Sequence, residues 1–250
     1  QTENSIISID ISPNGHSIIT IDNSDVITMW DVLTGEIKFN LYEVKKCCGM
    51  SSALFSPDGN LVMAFFCEQG PGNKIHIWDA NTGEEINILY HTGMTESSCL
   101  SLSSNGKIVA AATTYGTINI WDLETGKKLN QPKPEYFLWW TNENIALSPD
   151  GSLLAFSGNE NTIRLWDIES GKLIRSIFDN DQVYSLWFTA DGNTLISCNE
   201  NNIIRFWDVN TGDELIHYEG QYIKDFTPDG NRMITYCNYG TYCIYDVDPW

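Results

Sequence analysis

The sequence predicts an all-β chain of six repeat units, each of about four short antiparallel strands. Three observations predict it. An aromatic-Asp pair recurs at intervals of 38 to 48 residues: Trp30-Asp31, Trp78-Asp79, Trp121-Asp122, Trp166-Asp167, Trp207-Asp208 and Tyr245-Asp246. A turn of the Ser-Pro-Asp-Gly kind precedes each pair, and its Gly lies 15 residues before the aromatic in five units and 19 in the second. A third marker follows five of the pairs at fixed distance, as Thr34-Gly35, Thr82-Gly83, Thr125-Gly126, Ser170-Gly171 and Thr211-Gly212.

Each unit resolves into strands in the same order. In the first, runs of strand character cover 6–11, 17–22, 26–31 and 37–42. The turn between the first two strands is Ser12-Pro13-Asn14-Gly15, repeated as Ser56-Pro57-Asp58-Gly59, Ser148-Pro149-Asp150-Gly151 and three variants. Pro presets φ, Asp or Asn binds its own backbone, and Gly supplies the positive φ. Ahead of each Trp, apolar residues alternate with one residue of other character, as in Ile27-Thr28-Met29 and Ile75-His76-Ile77, which reads as a half-buried strand. After the Trp, Thr-Gly reads as a hairpin with Gly in the left-handed region, and the Asp beside the Trp is placed to accept hydrogen bonds from that hairpin's amides. The extra residues of the second unit fall around Glu68-Gln69-Gly70-Pro71-Gly72, a loop composition.

Composition is that of an ordinary globular chain: 250 residues, 42% hydrophobic and 12% aromatic. Its formal net charge is -19. That excludes the basic footprint of a nucleic-acid binder and docking on anionic lipid. The longest apolar run, Leu61 to Cys67, is too short to span a bilayer. Seven cysteines, Cys47, Cys48, Cys67, Cys99, Cys198, Cys237 and Cys243, form no C-x-x-C pair. They read as small core residues of an intracellular, cytoplasmic protein.

Six coincident copies of three spaced markers resemble the WD40 repeat, over nearly the whole chain. The resemblance implies a β-propeller of six four-stranded blades, at roughly 5–43, 49–91, 97–131, 141–178, 182–219 and 221–248, in a single domain over 1–250. Blades of that family commonly carry a Gly-His pair before the first strand and an Asp in the turn before the Trp strand. These join Ser/Thr and Trp in a buried polar network. Here the turn position is Asp25, Asn73, Gly116, Asn161, Asn202 and Gly240, and the one Gly-His pair, Gly15-His16, sits in a different turn. His91 comes nearest to the expected histidine. The network is therefore expected to be missing from most blades. The last unit has no residues for its outer strand. Either the ring is six blades with an unlatched last one, or the chain is a piece of a longer protein. An open edge is a liability, which favours the second reading.

No catalytic constellation is evident. The four histidines are scattered, no zinc-ligand spacing, phosphate loop or nucleophile elbow occurs, and Asp22-Asn23-Ser24-Asp25 reads as a turn, not as a calcium loop. Neither cofactor nor metal is indicated. In the implied fold, the loops before the Trp strand and those joining blades share one face, the usual partner face. That face takes Glu68, Tyr115, Asn159, Glu160, Asn199, Glu200, Asn201 and Tyr239 from the first set, and Lys45, Lys46, Glu96, Asp179, Asp181 and Gln221 from the second. The linker Gln131–Trp140 ends in Tyr136-Phe137-Leu138-Trp139-Trp140. These aromatics either fold onto the seam between blades three and four or stand exposed as an anchor. Trp187 falls mid-strand, a core position.

The function this predicts is a non-catalytic scaffold. It presents rim loops to a protein or peptide with a basic or neutral surface, and binds no nucleic acid or membrane. The alternative is a ligand- or peptide-sensing propeller of a larger signalling protein, whose partners would include other domains of the parent chain. An enzyme acting in the propeller channel would need a cluster of perturbed titratable groups.

Overall fold

In the computed structural model, the described residues are 5–43, 50–66, 73–91, 98–113, 117–132, 145–158, 161–219, 222–226, 232–237 and 241–246. They form strands and turns, with no helix among them. The strands assemble into six antiparallel sheets. Sheet 1 holds β1 (Ile6–Ile11), β2 (Ser17–Asp22), β3 (Val26–Asp31) and β4 (Ile37–Glu43). Sheet 2 holds β5 (Met50–Phe55), β6 (Leu61–Phe66), β7 (Lys74–Asp79) and β8 (Glu85–Tyr90). Sheet 3 holds β9 (Ser98–Leu102), β10 (Ile108–Thr113) and β11 (Ile118–Asp122). Sheet 4 holds β12 (Ile145–Leu147), β13 (Leu153–Gly158), β14 (Thr162–Asp167) and β15 (Lys172–Phe178). Sheet 5 holds β16 (Val183–Phe188), β17 (Thr194–Asn199), β18 (Ile204–Asp208) and β19 (Glu214–Tyr218). Sheet 6 holds β20 (Tyr222–Phe226), β21 (Arg232–Cys237) and β22 (Thr241–Asp246). Within each sheet the strands pair in chain order, the meander of a WD40 propeller blade. Sheet 3 departs from the four-stranded expectation: its fourth strand is reduced to one bridge, Trp121 with Lys128.

The chain forms two compact units, Gln1–Leu102 with Gly106–Lys128, and Ser103–Asn105 with Leu129–Trp250. Inside each unit one rule governs packing. Directly paired strand residues share a face, so Ile11, Ile18 and Trp30 lie on one face of sheet 1, and Ile19 and Met29 on the other. In the first unit, the Trp-bearing face of sheet 2 (Ala53, Phe55, Val62, Ala64, Trp78) packs on Ile19, Ile21, Ile27 and Met29 of sheet 1. Val109, Ala111 and Trp121 of sheet 3 pack likewise on Met63, Phe65, Ile75 and Ile77 of sheet 2. In the second unit, Leu186, Leu195 and Trp207 of sheet 5 meet Ala155, Ile163 and Leu165 of sheet 4. Ile223, Met233 and Tyr245 of sheet 6 meet Ile196, Cys198, Ile204 and Phe206 of sheet 5, with Trp187 half-buried against them. One sheet cannot bury two faces, and stacking supplies the cover.

The turns behave as their residues require. The Gly of each described Ser-Pro-Asp-Gly-like turn and of each Thr-Gly or Ser-Gly pair has positive φ. The Asp after each Trp accepts from the hairpin: Asp31 Oδ1 from the Leu33 and Thr34 amides, Asp79 from Asn81 and Thr82, Asp208 from Asn210 and Thr211. Nine residues after the Trp, the outer strand reaches the next hairpin. A Cβ on Gly83 would stand 2.7 Å from the Phe39 ring, and one on Gly212 would stand 2.7 Å from Arg175 Cδ.

The half-buried reading of the Trp strand is corrected. Its alternate positions are buried too: Thr28, His76, Asn119 and Arg205 are all enclosed. Sheets 2 and 5 are packed on both faces, so polar residues there need internal partners. The cysteine reading also fails at one position. Cys243 is half-buried and disulfide-bonded, so its sulfur is part of a cross-link and not a packed core thiol. Cys99 and Cys198 are not in disulfides, and burial pushes the Cys198 thiol up.

Candidate functional site

The described rim is best defined in sheet 5. The turn joining β17 to β18 is nucleated by Asn199, which is buried at the end of its strand. Its Oδ1 accepts from the Asn201 and Ile203 amides at 3.1 and 3.0 Å. Its backbone carbonyl accepts from Asn202, whose φ is 57°. Sheet 1 repeats the device with Asp22, whose Oδ1 accepts from Ser24 and Val26, and with Asp25 at φ 62°. Asn161 takes the same conformation at φ 53°. At three of these turn positions, Asp25, Asn161 and Asn202, the backbone thus takes the left-handed region, which Asp and Asn tolerate better than other side chains.

Beneath the sheet 5 turn lies a buried polar network. Asp179 is fully enclosed, and its Oδ1 accepts from Arg205 Nη1 at 2.6 Å and Asn199 Nδ2 at 3.1 Å. Its Oδ2 accepts from Ser197 Oγ at 3.3 Å, and Ser197 Oγ accepts from Trp207 Nε1 at 2.9 Å. Arg205 continues outward to Glu214 at 3.3 Å, and Glu214 to His217 at 2.6 Å. A buried arginine and carboxylate are tolerable only when paired and hydrogen-bonded in this way. Asn199 Nδ2 also reaches Asp181 at 3.3 Å. In sheet 5 the turn before the Trp strand and the loop that enters the sheet therefore adjoin.

Asp179 corrects the shared-face reading in its detail: it points inward and holds the rim up from below. The expected loss of the polar network from most blades fits sheets 2 to 4, where the place opposite the polar residue of the Trp strand is Ala64, Ala111 and Phe156, while sheet 5 and in part sheet 1 keep it. Trp30 Nε1 donates to Thr20 Oγ1 at 2.8 Å, as Trp207 does to Ser197. His91 is buried, meets the Ala111 carbonyl at 3.1 Å and packs its ring against Phe65 and Trp121. Ala111 and Ser197 both stand ten residues before their Trp, so His91 and Asp179 serve equivalent places. A second regularity pairs the residue two before the Trp with the residue seven after it. His76 meets Glu85, Asn119 meets Lys128, and Arg205 meets Glu214. These pairs carry a sequence signal, complementary polar residues at a fixed offset of nine, that periodicity alone passes over.

Glu200 is exposed at the turn tip beside exposed Asn201, and its amide donates to the Gln182 carbonyl at 2.8 Å. Tyr115, Tyr136, Phe137, Trp139, Trp140, Glu160 and Tyr239 lie outside the described residues, as do Lys45, Lys46, Glu68, Glu96, Asn159 and Gln221. Among the described residues no group of three His, Cys, Asp or Glu side chains could hold a metal. No helix there is long and apolar enough to cross a membrane.

Comparison with known proteins agrees with the blades. The family model "WD domain, G-beta repeat" matches residues 84–122, 143–167 and 171–208. The chain is similar to autophagy-related protein 16 of Arabidopsis thaliana, 29% identical over 50% of this chain and 23% of that protein. It is 34% identical to cilia- and flagella-associated protein 57 of Mus musculus, over 48% of this chain and 9% of the relative. It is 28% identical to protein groucho of Drosophila melanogaster, over 52% of this chain and 17% of the relative. The matches thus span less than a quarter of these relatives' length.

Proposed function

We propose, from its similarity to WD40-repeat proteins, that this chain is a non-catalytic scaffold whose rim loops hold a protein or peptide with a basic or neutral surface. One observation carries the proposal. The turn at 199–203 rests on the buried Asn199–Asp179–Arg205 network, while Glu200 and Asn201 at its tip stand in solvent. A rigid base under exposed polar side chains lowers the ordering cost of binding. The net charge of -19 favours a basic partner through long-range steering. Trp139 and Trp140, with Tyr136 and Phe137, supply the aromatic anchor of the proposed surface.

The test is affinity capture with mass spectrometry on this chain. It compares the unaltered protein, Glu200→Lys, and Trp139→Ala/Trp140→Ala, each checked for native circular dichroism. The expected result is a partner released by added salt and reduced about tenfold by either change, the equivalent of about 1.4 kcal/mol. A partner that both variants retain would place the contact elsewhere and overturn the rim assignment.

A further inference from the structure

One chemical difference runs through the Ser-Pro-Asp-Gly-like turns. Their third residue is Asp58, Asp150, Asp191 and Asp229 in four units, and Asn14 and Asn105 in the first and third. Each asparagine is followed by glycine. That pair is the one most prone to lose the side-chain amide, because glycine has no Cβ to keep its backbone nitrogen away from the asparagine Cγ.

The two turns prepare the carbonyl side of that reaction alike. Ser12 Oγ donates to Asn14 Oδ1 at 2.8 Å, and Ser103 Oγ donates to Asn105 Oδ1 at 2.7 Å. Each hydroxyl stabilises negative charge as it builds on that oxygen. Both asparagines are exposed, and the glycines share a backbone conformation, with φ of 72° at Gly15 and 71° at Gly106. The attacking nitrogen is what differs. The Gly15 amide donates to the Ser12 carbonyl at 2.8 Å, and the amides of Gly59, Gly151 and Gly192 donate to the matching carbonyls of their turns. Among the described turns, Gly106 alone makes no such bond. Its turn is tied one residue earlier, by the Asn105 amide to the Pro149 carbonyl at 3.0 Å.

We propose that Asn105 is a self-modifying site, converted by solvent water to aspartate and isoaspartate through the Gly106 nitrogen, while the tied Gly15 holds Asn14 back. The Gly106 nitrogen bonds to Asn105 Cγ and gives up its proton. The Cγ–Nδ2 bond breaks, and ammonia leaves carrying that proton. Water then opens the cyclic imide. Cleavage between the nitrogen and Cγ gives aspartate. Cleavage between the nitrogen and the main-chain carbonyl carbon gives isoaspartate, with the chain running through the side-chain carbons. Either product adds a negative charge. It also removes the donor of a bond from Asn105 Nδ2 to the Asp150 carbonyl at 2.6 Å, which lies inside the second compact unit. A carboxylate then faces a carbonyl oxygen, so the turn at 103–106 loosens from the turn at 148–151.

Peptide mapping by mass spectrometry on the full chain, aged in mildly alkaline buffer with and without urea, tests this. In the folded chain the Asn105 peptide is expected to convert several-fold faster than the Asn14 peptide, and to yield both aspartate and isoaspartate. In urea the two rates are expected to converge, because neither glycine is then tied. Equal or reversed rates in the folded chain overturn the proposal. So does a difference that persists in urea, which would trace to local sequence and not to the turn. Aspartate without isoaspartate at Asn105 overturns the route through Gly106. Asn105→Asp supplies one product directly and is expected to melt below Asn14→Asp, and equal melting of the two overturns the loosening of the turns.

Discussion

Sheets 2 and 5 share every repeat marker and differ in what they bury behind the tryptophan. In sheet 2 the place opposite the polar residue of the Trp strand is Ala64, and His76 turns to Glu85, stacking on Trp78 and meeting the Tyr42 ring. In sheet 5 the same place is Ser197, and Arg205 spans from Asp179 to Glu214. One sheet closes this space with aromatic rings and an alanine, the other with charges and hydroxyls. The backbone meander is common to both. Strand and turn residues set the blade, while the chemistry between blades is left to a few interior positions.

The largest expected effect breaks the charged version. Arg205→Leu leaves Asp179 buried without its cation and is expected to cost about 3–5 kcal/mol in urea unfolding. Asp179→Leu/Arg205→Leu removes both charges and is expected to recover most of that loss. Equal losses for the single and double variants would mean that the pair is not the coupled unit. A smaller effect separates the hairpins. Gly83→Ala forces a positive φ on alanine and meets Phe39, whereas Gly35→Ala meets nothing within 4 Å. The expected costs are about 2 and about 1 kcal/mol, and thermal melts of the two should differ in that order. Smaller still is Ser197→Ala, which deprives Trp207 Nε1 of its acceptor at about 1 kcal/mol. Unfolding of that variant beside Trp207→Phe/Ser197→Ala isolates the hydrogen bond.

Acid should act on both sheets through their turns. The carboxyls of Asp58 and Asp191 are held below the ordinary value of 3.8, chiefly by the Ser56 and Thr189 hydroxyls. A folded-state value below the unfolded one contributes stability above pH 3.8 that is lost as pH falls through the depressed value. Unfolding midpoints should therefore hold steady from neutral pH to about pH 5 and drop below about pH 4. Asp58→Asn should flatten that drop by a small amount, since the side chain is largely exposed.

Much of this molecule was legible from residue types. Ser-Pro-Asp-Gly and Thr-Gly name their turns because φ is a local property, and the aspartates after Trp bind amides only two or three residues away. Asp179 was not legible. Its position reads as a polar surface loop, and only the approach of Arg205, 26 residues later, turns it into a buried anion. His91 was nearly legible because its place matched an expected histidine. The pairs at an offset of nine could have been found by comparing repeats with one another, which periodicity within a strand does not do.

Sequence by itself determined the strands, the turns, the repeat and the resemblance to WD40 proteins. All of these rest on interactions within a few residues or on a pattern repeated along the chain. Tertiary structure alone decided which polar residues are buried, which loops adjoin, and which apolar faces are covered. Ile9 and Ala53, like Ile244 and Phe206, occupy matching positions with matching hydrophobic character. Burial is conferred by whatever sheet lies on the other side, and that is a property of the neighbour, not of the residue.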